Sequence, residues 1–329
     1  MEGRTDVETL FMALDDSAEL LKETLNMTYL EALVEAGENL FQGTVQQEVD
    51  ESVKSELLKR IESVDVQAIA PEGIRKSFQL AILKGMKEGT QAHHAITPDA
   101  VAVFMSYLVN KLKANDKAFS LLDPAVGTGN LLAAILNQSK STISSYGFEV
   151  DETLLNLAFV SSNLQEKEIQ FFHEDSIKPI KLPTFDVVVS DLPVGYYPND
   201  EIANGYTLKA EEGKSFTHHL LIERAIEQTK EGGYLLFLVP NFLFESEQAA
   251  QLQAYVKTKT NILGLLQLPS SMFKSQEFGK SIFLLQKKGE GVTQPRQALL
   301  AELPSFSKQE ALTDMIRQID KWFKEEFEL

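Results

Sequence analysis

Cysteine is absent from the 329 residues, and that absence alone removes whole classes of chemistry. There can be no disulfide, no thiolate metal site and no thiol nucleophile. Methylation at carbon five of cytosine, which needs a thiolate, is excluded with them. Long apolar runs are missing too: no stretch reaches the roughly 18 residues of a membrane span. The amino terminus, Met1-Glu-Gly-Arg-Thr-Asp, lacks the basic-then-apolar pattern of a signal peptide. A soluble cytoplasmic protein without membrane contact is the expectation. Positive charge is scarce, since 31 Lys and Arg face 48 Asp and Glu for a formal net charge of −17. Duplex binding draws on Lys and Arg, so a DNA substrate calls for a local basic surface or a partner subunit.

What is present reads as two domains. Residues 7–89 carry apolar side chains at helical spacing throughout, as in Leu10-Phe11-Leu14, Leu30-Leu33-Val34 and Val53-Leu57-Leu58-Ile61. This predicts a helical N-terminal domain over 1–90, a surface on which a protein partner could dock. Pro71-Glu-Gly73 breaks the pattern before a helix over 74–87, and the stretch from Gly89 to Ala92 reads as a linker. The second domain, 91–329, opens on Thr97-Pro98-Asp99, which has the form of a helix start with Thr97 as cap. Short β-branched runs then alternate with helical patterns, the mark of βαβ units and a mostly parallel sheet. Strands are predicted at 118–122, 143–148, 169–172, 186–190, 234–239, 262–268 and 282–286, and helices at 130–138, 153–164 and 216–230. A last helix from Lys308 to about Phe323 gathers Leu312, Met315, Ile316, Ile319 and Trp322 on one face, to pack back on a domain.

The first strand runs into Asp123-Pro-Ala-Val-Gly-Thr-Gly-Asn130 and then into a helix. Gly127 and Gly129 let the backbone approach a ligand closely, and the following helix start supplies unpaired N–H groups. The second strand ends in Glu149, twenty residues beyond Gly129, where a carboxylate accepts hydrogen bonds from a ribose diol. A nicotinamide dinucleotide satisfies this pattern as well. Such sites usually carry a third glycine, however, and the position three beyond Gly129 is Leu132. A ligand without a pyrophosphate fits better.

Asp123-Pro-Ala-Val-Gly-Thr-Gly129 resembles the first motif of amino-group DNA methyltransferases, especially the modification subunits of type I restriction systems. Ile96-Thr97-Pro98 is similar to the Thr-Pro motif upstream of it in that family, Phe148-Glu149-Val150-Asp151 to the ribose motif, and Glu174-Asp175-Ser176 to the acidic loop that reaches the adenine amine. Glu231-Gly-Gly-Tyr-Leu-Leu-Phe-Leu-Val-Pro-Asn241, Leu268-Pro-Ser-Ser-Met-Phe273 and Gly279-Lys-Ser-Ile-Phe-Leu-Leu285 are similar to its later strands. The ordered set covers residues 90–288. It implies an α/β chain with a Rossmann-like, seven-stranded methyltransferase sheet that binds S-adenosylmethionine. The cofactor set it implies is Thr97, Asp123, Ala125, Gly127, Gly129, Asn130, Glu149, Val150, Asp175, Ser176 and Asp191. The implied substrate is adenine in DNA, flipped out of the duplex.

The catalytic motif departs from the family pattern of Asn or Asp, Pro, Pro and an aromatic, since the matching segment is Asp191-Leu192-Pro193-Val194. The first and third positions fit, and Asp191 can hold an amine hydrogen while the nitrogen lone pair is aimed at a methyl group. Leu192 lacks the rigid backbone of proline, and Val194 cannot stack on a base. Tyr196 or Tyr197 is expected to take over the stacking, giving Asp191, Pro193 and Tyr196 as the catalytic set. Two further readings stand beside this one: methyl transfer to a protein amine, and a non-catalytic cofactor-binding scaffold. His93-His94 and His218-His219 are adjacent pairs whose members point apart, which predicts surface or boundary histidines and no metal site.

Overall fold

The computed structural model describes residues 5–88 and 96–327. The expected linker and the His93-His94 pair lie outside the described residues. In chain order the elements are α1 (Asp6–Leu25), α2 (Tyr29–Gln42), α3 (Glu51–Glu62), α4 (Pro71–Glu88), α5 (Asp99–Leu112), β1 (Ala118–Asp123), α6 (Asn130–Gln138), β2 (Thr142–Glu149), α7 (Glu152–Leu164), β3 (Ile169–His173) and β4 (Phe185–Asp191). They continue with α8 (Asp200–Ala203), α9 (Thr217–Gln228), β5 (Thr229–Pro240), α10 (Ala249–Lys259), β6 (Thr260–Gln267), β7 (Lys280–Lys287), β8 (Leu299–Glu302) and α11 (Gln309–Phe327). By internal contacts the chain forms two compact units. One comprises Met1–Val103, Val126–Gln138 and Gly147–His173; the other comprises Phe104–Ala125, Ser139–Tyr146 and Glu174–Leu329.

In the first unit, local chemistry sets the helix ends. Thr5 and Thr28 each accept the N–H three residues on, while Glu8 and Glu31 reach back to the cap N–H, so two capping boxes start α1 and α2. Asn26 and Gly43, both left-handed, end those helices. Pro71 does not break the pattern as expected: it is the first residue of α4, where its missing N–H has no helical partner to lose. The helix after Thr97 starts one step later than expected, because the Pro98 carbonyl accepts the Ala102 N–H and so occupies the cap position. The core joins Leu10, Leu14, Leu33, Phe78 and Ile82 of the N-terminal helices to Leu157 and Val160 of α7. The helical segment and α7 thus exclude water together, at roughly 1.5–3 kcal/mol for each large side chain buried.

The strands are ordered β3-β2-β1-β4-β5-β7-β6-β8. There are eight rather than seven, because short β8 adds to β6 in parallel. In the second unit β1, β4 and β5 run parallel and β7 antiparallel between β5 and β6. The chain order reverses at β1 and β4, and in open α/β sheets ligands bind at the carboxyl ends of strands at such a switch point. Asp123 and Asp191 are the last residues of those two strands. α11 packs back as expected: Ile319 and Trp322 are buried, Trp322 Nε1 donates to the Gln297 carbonyl, and the Tyr107 hydroxyl donates to Asp320. No described helix is long and apolar enough to cross a membrane.

Candidate active site

In the first unit the bend runs from Val126 to Asn130. The Val126 N–H donates to the Phe148 carbonyl at 2.8 Å, and the Gly129 N–H closes a turn onto the Val126 carbonyl at 2.9 Å. Gly127 (φ 54°) and Gly129 (φ 77°) both take the left-handed conformation that side chains disfavour, yet they serve different ends. A Cβ at Gly129 would lie 3.1 Å from Ala158 Cβ, so this glycine lets α7 pack against the bend. A Cβ at Gly127 would meet no heavy atom within 4 Å, so the space beside it is open.

Glu149 supports the bend from β2. Its Oε2 accepts the Gly127 N–H at 2.9 Å, and its Oε1 accepts the Val150 and Asp151 N–H groups at 2.8 and 2.9 Å. An ionised carboxylate offers about four lone-pair sites, so these bonds fix its position and leave acceptor capacity for a hydroxyl. The Val150 side chain is exposed, and its carbonyl lies 3.0 Å from His173 Nε2. Asn130, the first residue of α6, is buried; its Nδ2 donates to the Thr97 carbonyl at 2.8 Å and its Oδ1 accepts from Arg75 Nη1 at 2.6 Å.

In the second unit the buried Asp123 ends β1. Its Oδ1 accepts the Ala125 N–H at 3.1 Å and the Ser190 hydroxyl, from the neighbouring strand, at 2.9 Å. Ser176 donates to the Pro124 carbonyl at 2.7 Å, which ties the acidic loop to this turn. Asp175 accepts the Ile177 N–H at 3.0 Å and the Tyr197 hydroxyl at 2.5 Å. Burial and then that bond to Asp175 push the Tyr197 hydroxyl pKa well above the ordinary value. Tyr197 is therefore turned inward, and of the two tyrosines considered for stacking only Tyr196 presents its ring to solvent. That ring lies parallel to Phe216, with centroids 5.1 Å apart.

Asp191 faces a partner that sequence reasoning did not single out. Lys280 Nζ, at the start of β7, lies 2.5 Å from its Oδ1, and both side chains are largely buried. Leu192 is buried and donates its N–H to the Leu238 carbonyl at 3.2 Å, whereas Pro193 and Val194 are exposed. Phe242, just after β5, and Phe278, just before β7, are also exposed, in turns beside the strand ends that pair at Pro240 and Lys280.

The expectation for His218-His219 is corrected. Both rings are buried and pack edge to face with centroids 4.9 Å apart, beneath Phe216. Their helix begins directly after Phe216 and turns its first residues inward, so both neighbours lie under the aromatic loop instead of on opposite surfaces. His218 Nδ1 and both nitrogens of His219 have no hydrogen-bond partner. Burial, and for His218 the neighbouring ring as well, lowers their pKa values to about 3 and about 4. Among the described residues no group of three or more candidate ligands could hold a metal ion.

Two families match along the chain: the YtxK N-terminal helical domain over residues 8–86, and the N-6 DNA methylases over residues 82–328. The uncharacterized protein YtxK of Bacillus subtilis is 48% identical over 323 residues, 97% of this chain and 98% of its own. A Listeria monocytogenes crystal structure, described as a class I S-adenosylmethionine-dependent methyltransferase, superposes with a TM-score of 0.91 at 40% identity, covering 97% of this chain and 99% of that one. The methyltransferase subunit of a type I restriction-modification system from Streptococcus thermophilus shares the fold, with a TM-score of 0.68 at 15% identity over 96% of this chain and 74% of that one. With the open glycine bend, the carboxylate closing β2 and an aspartate at the end of β4, the chain belongs to the N-6 DNA methylase family of S-adenosylmethionine-dependent methyltransferases.

Proposed function

We propose that this chain binds S-adenosylmethionine along Asp123–Asn130 and Glu149, and transfers its methyl group to the exocyclic amine of adenine in DNA. The observation that carries the cofactor half is Gly127: a left-handed glycine whose N–H is held by Glu149 while the space at its Cβ position is open. A nucleoside with a ribose diol and an amino-acid tail suits such a bend, where carboxylates accept hydroxyl and ammonium hydrogens. S-adenosylmethionine, when bound, supplies a methyl group activated by its sulfonium, which departs as a neutral thioether.

The protein's own residues hold the acceptor. Asp191 would accept one amine hydrogen, keep the nitrogen lone pair directed at the methyl carbon, and take up the proton that the amine gives up on methylation before passing it to solvent. Lys280 takes one lone-pair site of that carboxylate and balances its charge. Tyr196, Phe242 and Phe278 offer exposed rings on the loops around β4, β5 and β7, and a planar base is a fitting occupant for such rings. A second reading, a cofactor-binding scaffold without transfer, is favoured by the Lys280–Asp191 ion pair together with Leu192 and Val194.

Calorimetry with S-adenosylmethionine and with NAD tests the cofactor, and tight NAD binding without the former overturns the assignment. Labelled methyl transfer to unmethylated genomic DNA and to a fractionated protein lysate tests the acceptor. Label in protein alone replaces the DNA reading with a protein amine acceptor. Cofactor binding with no transfer to either favours the scaffold.

A further inference from the structure

Arg75 is among the most deeply buried side chains of the molecule, with 1% of its side chain exposed. Burying a guanidinium is costly unless every donor finds an acceptor. Its acceptors come from three helix starts. Nε and Nη2 donate to the two carboxylate oxygens of Glu72, in the first turn of α4, at 2.8 and 2.6 Å. Nη2 also donates to Asp99, the first residue of α5, and Nη1 donates to Asn130 Oδ1, the first residue of α6, at 2.6 Å. Burial works against the charge, and the bonds to Glu72 and Asp99 outweigh it, so the guanidinium pKa lies above the ordinary arginine value.

The Asn130 amide is fixed at both ends. A guanidinium only donates, so Oδ1 must face Arg75; a carbonyl only accepts, so Nδ2 must face Thr97. Asn130 directly follows Gly129, and a bend with two left-handed glycines has more conformational freedom to lose than most loops. A loop held in its binding shape before a ligand arrives loses less entropy on binding.

From this geometry we infer that Arg75, a residue of the N-terminal helical segment, is a positioning residue for the cofactor bend and acts through Asn130. The helical segment thereby sets cofactor affinity. The inference rests on the proposed S-adenosylmethionine site. Lysine cannot replace Arg75, because one ammonium cannot reach three helix starts in a plane.

The experiment is titration of S-adenosylmethionine into full-length wild type, Arg75→Lys, Asn130→Ala and the double variant, alongside amide hydrogen exchange of residues 126–130 without ligand. Each single variant is expected to weaken binding about tenfold and to speed exchange in the bend, and the double variant to be no weaker than Asn130→Ala alone. Glu72→Gln keeps an acceptor toward Arg75; it should lower the unfolding temperature while leaving affinity within twofold. Losses that multiply in the double variant, or folded single variants with wild-type affinity and exchange, overturn the inference. Should wild type itself not bind S-adenosylmethionine, the cofactor reading fails first, and the exchange data still decide whether Arg75 holds the bend. Should Arg75→Lys not fold, Asn130→Ala, which leaves Arg75 its two carboxylates, decides between bracing and mere packing.

Discussion

The bend after β1 and the bend after β4 both follow a strand at the switch point of the sheet, yet they are built on different principles. The first is a matter of backbone: two left-handed glycines, the Gly127 N–H held by Glu149, and an anchor at Asn130. The second is a matter of side chains: Asp191 paired with Lys280, Leu192 tucked into the core, and Tyr196 lying on Phe216. A backbone site tolerates few sequences and keeps its motif. A side-chain site can be rebuilt from other loops, and here Val194 stands where the family has an aromatic while exposed rings occur at Tyr196, Phe242 and Phe278. The difference implies that the two halves fail separately when altered.

The sharpest separation comes from Asp191→Ala. On the proposed reading this substitution should lower methyl transfer about 10³-fold, in the range seen when a preorganised polar group is lost, while calorimetric affinity for S-adenosylmethionine stays within a few fold. Equal loss of both would join the two halves and break the comparison. Gly127→Asn probes the opposite side. Asparagine tolerates the left-handed conformation, and its side chain would enter the open space beside Gly127. Affinity should therefore fall at least 100-fold (about 2.7 kcal/mol), with the thermal midpoint lowered by only a few degrees.

Lys280→Met has a smaller expected effect and distinguishes the two functional readings. Loss of the ammonium removes the Lys280 charge beside a largely buried carboxylate, which should cost about 1–3 kcal/mol of stability. If Asp191 holds an acceptor, transfer also falls about tenfold, and Asp191→Asn combined with Lys280→Met, a neutral pair, recovers much of it. A stability loss with no change in a measurable transfer rate would assign the pair to the fold alone.

This contrast also explains what could be read in advance. The seven longer strands were legible because each is a run of apolar or β-branched residues between helical patterns, and α6 was legible to the residue because Gly129-Asn130 marks its start. β8 was not, since four residues with an exposed Leu300 carry almost no periodicity; nor was α10, where only Ala249, Leu252 and Val256 are buried. Of the candidate site, the glycine bend and Glu149 could be named from spacing. Arg75 and Lys280 could not, because a lone cation on an amphipathic helix or strand is usually solvated, and only tertiary packing brings it to Asn130 or Asp191. The histidine pair was misjudged because adjacent residues were expected to point apart, to the surface or its boundary, and here the aromatic loop covers both rings.

That pair supplies the mildest prediction, and it concerns the loop after β4 alone. His218 and His219 titrate at about 3 and about 4 in the folded chain, against roughly 6.5 when unfolded. Between those values the unfolded chain binds more protons, so stability rises with pH there and is lost as pH falls below about 6.5. The slope should approach about 1.4 kcal/mol per pH unit for each ring, starting well above the pH at which carboxylates with lowered pKa values, such as Asp186 and Glu72, begin to gain protons. Denaturant titrations at pH 7, 6, 5 and 4.5 would show it. In His219→Leu the slope between pH 6 and 4.5 should drop by about half; an unchanged slope would mean that buried carboxylates elsewhere carry the acid sensitivity. Because these rings lie beneath Phe216 and Tyr196, mild acid should loosen the stacking loop before it disturbs the glycine bend.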